Sequence, residues 1–280
     1  MTTPDAHAPS APGSAALGVS VVHGLSTATT SWARTPLKLL TPRARGESVW
    51  AYTSSFGGGM VAGDRTRLEV TIDAGARCFL GTQASTKIYR NPGRLPCSHE
   101  LTAKIADDAL LILAADPVQC FAESLYEQRQ YFDLSVTGNL VLVDWMSAGR
   151  AARGELWQFQ RYLSRNEVQR GGKKILIDAL LLDATDGALA GKYRGGRFQC
   201  LATVALFGPR LSEHAKDILE WCAAQPIQPN APVIFSASSC QEGAIIRFAG
   251  VSVEQVGMAI REQFIFVREL LDDDPWSRKW

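Results

Sequence analysis

The chain has 280 residues, enough to bury a substantial core in one large domain or two small ones. Its 46% hydrophobic and 20% charged residues are those of an ordinary soluble globular protein. A formal net charge of +1, with Lys and Arg scattered and no basic stripe, argues against nucleic acid or an anionic membrane as partner.

The first 16 residues are mostly Ala, Pro, Ser and Thr, with Asp5. They lack the basic and apolar segments of a secretory leader and the Arg of a transit peptide, so residues 1–16 are expected to be a disordered tail and the protein cytoplasmic. No run approaches the roughly 20 apolar residues that span a bilayer.

Past the tail the dominant local signal has period two. In residues 67–72, Leu68, Val70 and Ile72 alternate with Arg67, Glu69 and Thr71, which predicts a strand with one buried face. Similar short runs, often continuous, lie at 17–23, 49–53, 109–113, 140–145, 175–182, 200–207, 233–236 and 244–248. Gly, Asn, Asp or Pro punctuates most of the gaps, as at Asp73-Ala74-Gly75 and Thr137-Gly138-Asn139. Two helices follow. One is expected from an N-cap at Ser212 to just before Pro226, with Ile218, Leu219 and Cys222 on one face. The other is expected over 253–271, where Val256, Ile260, Phe264, Val267 and Leu271 form an apolar stripe. Many short strands and two late helices make a mainly β fold, with no repeat of fixed length.

Several motifs are excluded by their context. Gly57 to Ala62 matches G-x-G-x-x-A, but the strand at 67–72 follows where a dinucleotide site needs a helix N-terminus. Around Gly187 to Lys192 a phosphate loop fails, because Asp186 replaces its first Gly and Tyr193 its Ser or Thr. There is no G-x-S-x-G, and only His23, His99 and His214 lie beyond the tail to serve as a general base. Cys97 and His99 are the one soft-ligand pair close in sequence, too few for a stable metal site. The six cysteines are widely spaced and read as buried thiols.

Two blocks stand out. In Phe56-Gly57-Gly58-Gly59-Met60-Val61-Ala62-Gly63-Asp64-Arg65, four glycines imply positive φ or a close approach of another chain. Gly81-Thr82-Gln83-Ala84-Ser85-Thr86-Lys87-Ile88-Tyr89-Arg90 reads as a polar strand that needs hydrogen-bond partners, either a water-lined channel, a wet interface or a satisfied polar edge.

FGGGMVAGDR, followed by TQASTKIYR and later by LVLVDWMSAGRAARGE, resembles the UreD (UreH) family of urease accessory proteins. The blocks occur in the family's order and at about its spacing, from about Thr35 to the C-terminal helix. GGGMVAGDR and Asp144-Trp145 are nearer to plant and fungal members than to typical bacterial ones. The resemblance implies a single UreD-like domain over 17–280, of elongated β-helical or layered β-sheet character, with two helices in the C-terminal third. It implies a non-catalytic scaffold for apo-urease, acting with UreF-like and UreG-like accessory proteins, with no tightly bound cofactor and nickel in transit.

A transit path for Ni²⁺ needs weak, exchangeable oxygen or imidazole ligands, since a thiolate cage would trap the ion. On the matched blocks the expected path residues are Asp64, Ser85, Thr86, Asp144 and Glu155, with Gln83 and Asp178 as further candidates. Structural alternatives remain open: Asp64 capping a turn, and Glu155 binding Arg150 or Arg153. Phe264, Trp276 and Trp280 are expected interface anchors, with Phe264 alternatively a core residue. A rival reading is a β-rich hydrolase using two dispersed carboxylates in a cleft.

Overall fold

The computed structural model describes residues 11–43, 46–241 and 243–276. Within them the strands run β1 (Ser14–Val22), β2 (Leu25–Ala33), β3 (Leu37–Leu40), β4 (Val49–Ser55), β5 (Gly59–Met60), β6 (Arg65–Ile72), β7 (Arg77–Thr82), β8 (Lys87–Ile88), β9 (Cys97–Ile105), β10 (Leu110–Ala114), β11 (Val118–Cys120), β12 (Leu125–Leu134), β13 (Asn139–Ser147), β14 (Arg161–Arg170), β15 (Lys173–Asp183), β16 (Cys200–Phe207), β17 (Val233–Cys240) and β18 (Gly243–Gly250). The helices are α1 (Ser212–Ala224), α2 (Val253–Gln263) and α3 (Val267–Leu271).

The strands wind as stacked coils with three faces. Each turn takes a strand of one sheet, a two- or three-residue strand, and a strand of the other sheet: β4–β5–β6, β7–β8–β9 and β10–β11–β12, followed by β13 and β14. Successive turns pair in parallel, β6 with β9 and β9 with β12 on one side, β7 with β10 and β10 with β13 on the other. The result is a seven-stranded sheet facing an eleven-stranded one. Antiparallel hairpins finish both sheets, β14 with β15 and β16 with β18 and β17. The expected mainly β, β-helical class is therefore what the chain adopts.

Alternation explains the seven-stranded sheet. In β6 every second residue, Thr66 to Ile72, is buried, and β12 repeats the pattern from Tyr126 to Leu134. The inner faces meet in one apolar cluster containing Leu68, Val70, Leu101, Phe132, Leu111 and Leu140. The eleven-stranded sheet is covered on its outer face as well, where Trp50, Phe79, Ile112 and Val204 pack against Ile218, Val256 and Ile260 of α1 and α2. Strands buried on both faces cannot alternate, which is why β10 is apolar throughout. The glycine block behaves as expected: Gly57 and Gly58 have φ of +79° and +74°, and a Cβ on Gly59 would lie 2.5 Å from the Lys87 carbonyl oxygen.

Four expectations need correction. The tail boundary at residue 16 lies too far along, because β1 begins at Ser14 and buries Ala15; residues 1–10 fall outside those described. Residues 82–87 are mostly not a strand, since β7 ends at Thr82 and the chain bends through Gln83 and Ala84 before β8. Ser212 is the first residue of α1 and not its cap; its hydroxyl donates to the Pro209 carbonyl. The second helix breaks into α2 and α3. That break lets Phe264 enter the core, 1% exposed, while Phe266 stacks on His214 at 4.0 Å. Phe264 is thus a core residue and offers no anchor to a partner. Trp276 is partly buried against the same helix-side core, and Trp280 lies outside the described residues.

Candidate functional site

Parallel coils place residues of equal register in rows along the stack. One inward row of the seven-stranded sheet reads Thr66, His99, Gln128, Ser164 from β6, β9, β12 and β14. The next inward row reads Leu68, Leu101, Gln130, Asn166, so polarity enters midway along it. These side chains satisfy one another. His99 Nδ1 lies 2.9 Å from Thr66 Oγ1, Gln128 Nε2 donates to Ser164 Oγ at 3.2 Å, and Gln130 Nε2 donates to Asn166 Oδ1 at 2.9 Å.

Asp144 reaches into these rows from β13 of the facing sheet. It accepts from Gln128 Nε2 at 3.0 Å on Oδ1, and from Ser164 Oγ at 2.5 Å and Asn166 Nδ2 at 2.8 Å on Oδ2. Burial pushes its carboxyl above the ordinary aspartate range; the three donors pull it back only in part, and the nearby Asp178 carboxylate pushes it further up. Asp144 is therefore held by hydrogen bonds from three neutral side chains.

Two cavities meet at this residue. A cavity of about 110 Å³, room for several waters, is lined by Ser85, Thr86, Met60, His99, Gln128 and Asp144 among others. A second, of about 400 Å³, is lined by Asp144, Asp178, Thr203, Ser236 and Arg247 among others. Trp145 also borders both, its indole nitrogen donating to the Ala115 carbonyl at 2.7 Å. Donors and acceptors thus run from the bend at 83–86, between the two sheets, to the far strands.

The expected path residues divide. Ser85, Thr86 and Asp144 are brought to the first cavity, and Asp178 to the second. Asp64 lines neither; its Oδ2 accepts the Val61 amide at 2.9 Å and closes a turn. Glu155 is gripped by Arg150, whose Nε donates at 2.9 Å and whose Nη2 also bonds it, and the guanidinium holds its carboxyl below the usual range. Gln83 is exposed. Asp116, which lines the first cavity and accepts from Thr82 Oγ1 at 3.1 Å, is an acid the sequence reading missed. Thr66, Gln128, Gln130, Ser164 and Asn166 were missed as well, and His99 was weighed only as a general base and as a soft ligand beside Cys97. A usable signal was present: in 125–134 and 161–170, Gln128, Gln130, Ser164 and Asn166 share the strand face of Phe132 and Val168. Among the described residues no three His, Cys, Asp or Glu side chains gather as a metal cluster.

Burial lowers the His99 pKa from 6.5 to about 4, so its imidazole is neutral at pH 7 and adds no positive charge to the cavity. The unfolded chain protonates first as pH falls, so this group's contribution to stability is full above pH 6.5 and drains away towards pH 4. The expected loss across that window is about 3 kcal/mol. Denaturant unfolding of wild type and His99→Gln at pH 7 and pH 4.5 checks it: the variant should lose distinctly less stability on acidification.

The family model for the UreD urease accessory protein matches residues 11–280. The chain belongs to the UreD family. Relatives include the urease accessory protein UreD of Sorangium cellulosum, 44% identical across 96% of this chain and 84% of its own length. The UreD of an Anaeromyxobacter strain is 38% identical over 95% of this chain and 89% of its own. Urease accessory protein D of Arabidopsis thaliana is 32% identical over 92% and 98%. The two bacterial UreD proteins exceed the plant one in overall identity. UreD relatives are named as accessory proteins and not as enzymes. No described helix is long and apolar enough to cross a membrane.

Proposed function

We propose that this chain is a non-catalytic scaffold of urease maturation that binds apo-urease together with UreF-like and UreG-like partners and passes nickel through its interior. The observation that carries the proposal is the polar seam between the sheets, with Asp144 common to both cavities. An apolar seam would be the default for a β-helix, because every buried polar group must find a partner to repay its desolvation. Here hydroxyls, amides, a neutral imidazole and a carboxylate succeed one another at spacings of a few ångströms. Such a set offers a divalent cation repeated weak ligands without a cage to hold it. Cys97, Cys120 and Cys200 do not compete: burial pushes each thiol up to about 12 or higher, so none supplies a thiolate at neutral pH.

The hydrolase alternative needs two free carboxylates across a cleft. Asp178 is paired with Arg247, and Asp144 already accepts from three neutral donors, so neither stands as a free catalytic carboxylate. The scaffold reading is tested by co-expressing the tagged chain with UreF-like and UreG-like proteins of the same organism and following size-exclusion elution. Co-elution, and activation of apo-urease by the complex with nickel and GTP, is expected. A chain that elutes alone and leaves urease inactive would overturn the reading.

A further inference from the structure

The second cavity holds an ion pair that the seam itself does not need. Asp144, Thr203 and Arg247 sit side by side on β13, β16 and β18, in direct register across the large sheet. Opposite them, Asn166 and Asp178 are register partners on β14 and β15. The two rows bond across the gap in sequence, Asn166 Nδ2 to Asp144 Oδ2 at 2.8 Å and Arg247 Nη2 to Asp178 Oδ1 at 2.5 Å. The row therefore runs from a shielded carboxylate at the centre to a guanidinium at the rim. Asp178 retains only 12% of its side-chain exposure, whereas Arg247 keeps 53%.

We propose that Arg247 is a charge latch at the outer end of the interior route: it neutralises Asp178 when the route is empty, gives way to a divalent cation moving out from Asp144, and then re-pairs to release it. The proposal rests on the nickel route proposed above and names how its exit is regulated. Two carboxylates lining one cavity would by themselves chelate a dication and hold it. A guanidinium on one of them prevents that, because the ion must displace a fixed positive charge to gain its second carboxylate. Arg247 is suited to moving aside: half its side chain is already in water, so swinging out costs the guanidinium little, and the incoming dication takes its place as counter-charge to Asp178. Asp178 is not suited to moving, being on a strand, mostly covered and close enough to Asp144 to raise its pKa. Passage would leave every bond of the chain intact; only ion-pair partners exchange.

The test is direct nickel binding to the purified complex of the full chain with its co-expressed partners, using Ni²⁺ alone in equilibrium dialysis. Arg247→Gln should bind nickel about tenfold more tightly than wild type. It should also activate urease more slowly at limiting nickel, since the ion leaves less readily. Arg247→Lys, which keeps the charge, should bind as wild type does. Arg247→Gln with Asp178→Asn should lose the gain, because the second carboxylate is gone. Unchanged nickel binding in Arg247→Gln overturns the latch, and so does a Lys variant that tightens as much as the Gln one. Neither result touches the route, which stands or falls on the Asp144 substitution below. Conversely, tighter binding by Arg247→Gln alongside full activation by the Asp144 variant would keep the ion-pair site and reject the route.

Discussion

Asp144→Asn is expected to lower urease activation at limiting nickel about tenfold while leaving the protein as stable as wild type, or more so. Both halves follow from one environment. The carboxylate is surrounded by three neutral donors and raised above the ordinary aspartate range chiefly by burial, so the charged form is held at a cost. Removing the charge relieves that cost, and the amide keeps the volume. Folded-state stability at pH 7 should therefore hold, although Gln128 Nε2 must turn away from the amide nitrogen if the Asn oxygen keeps the Ser164 and Asn166 donors. A dication crossing the seam, however, loses its one central counter-charge, where local dielectric is low and each charge interaction is strong. Co-purification of partners reports assembly, unfolding reports stability, and activation at graded nickel reports passage. Excess nickel should restore much of the rate. Full activation by Asp144→Asn at limiting nickel would end the conduit reading, and a large loss of stability would make Asp144 a structural residue.

Trp50→Ala is expected to cost about 3–5 kcal/mol of unfolding free energy, the range for truncating a fully buried large aromatic. Trp50 has no exposed surface and stands 5.9 Å from the Phe79 ring, on the face of the large sheet covered by helices. Its indole nitrogen donates to Ser48 Oγ at 3.2 Å, and that hydroxyl donates to the Leu271 carbonyl at 2.9 Å, at the end of α3. The side chain thus links early β4 to the C-terminal helices as well as filling core. Trp50→Phe should recover most of the packing while losing the indole hydrogen bond, a loss of about 1 kcal/mol. Denaturant titration of the three proteins measures both steps. A loss below about 1 kcal/mol for Trp50→Ala would mean that the helices contribute little to the stability of the sheets.

The strand-rich class was legible from the sequence. Period two at 67–72 and the apolar runs at 109–113, 140–145 and 200–207 all mark strands, because alternation and continuous burial are local consequences of one or two covered faces. The absence of a usable nucleotide loop was equally local, since such loops work through neighbouring residues. The glycine and Thr-Gln blocks were sufficient for the family, and Ser85, Thr86 and Asp144 do line the interior.

Which polar residues stack was decided only by the coil. Thr66 and His99 are 33 positions apart and Gln128 and Ser164 are 36, so unequal turns hide the repeat from any fixed-period search. The strands 125–134 and 161–170 escaped notice because their inward faces carry Gln, Ser and Asn where an apolar residue was sought. Those amides are tolerable inside only because register brings a partner within hydrogen-bonding distance on the next turn. The matched blocks likewise put Asp64, Glu155 and Asp144 among the path candidates, although one closes a turn, one grips Arg150 and one faces the seam. Local pattern reports which face of a strand is inward. What an inward polar side chain meets there depends on coils some thirty residues away, and that pairing exists only in the folded stack.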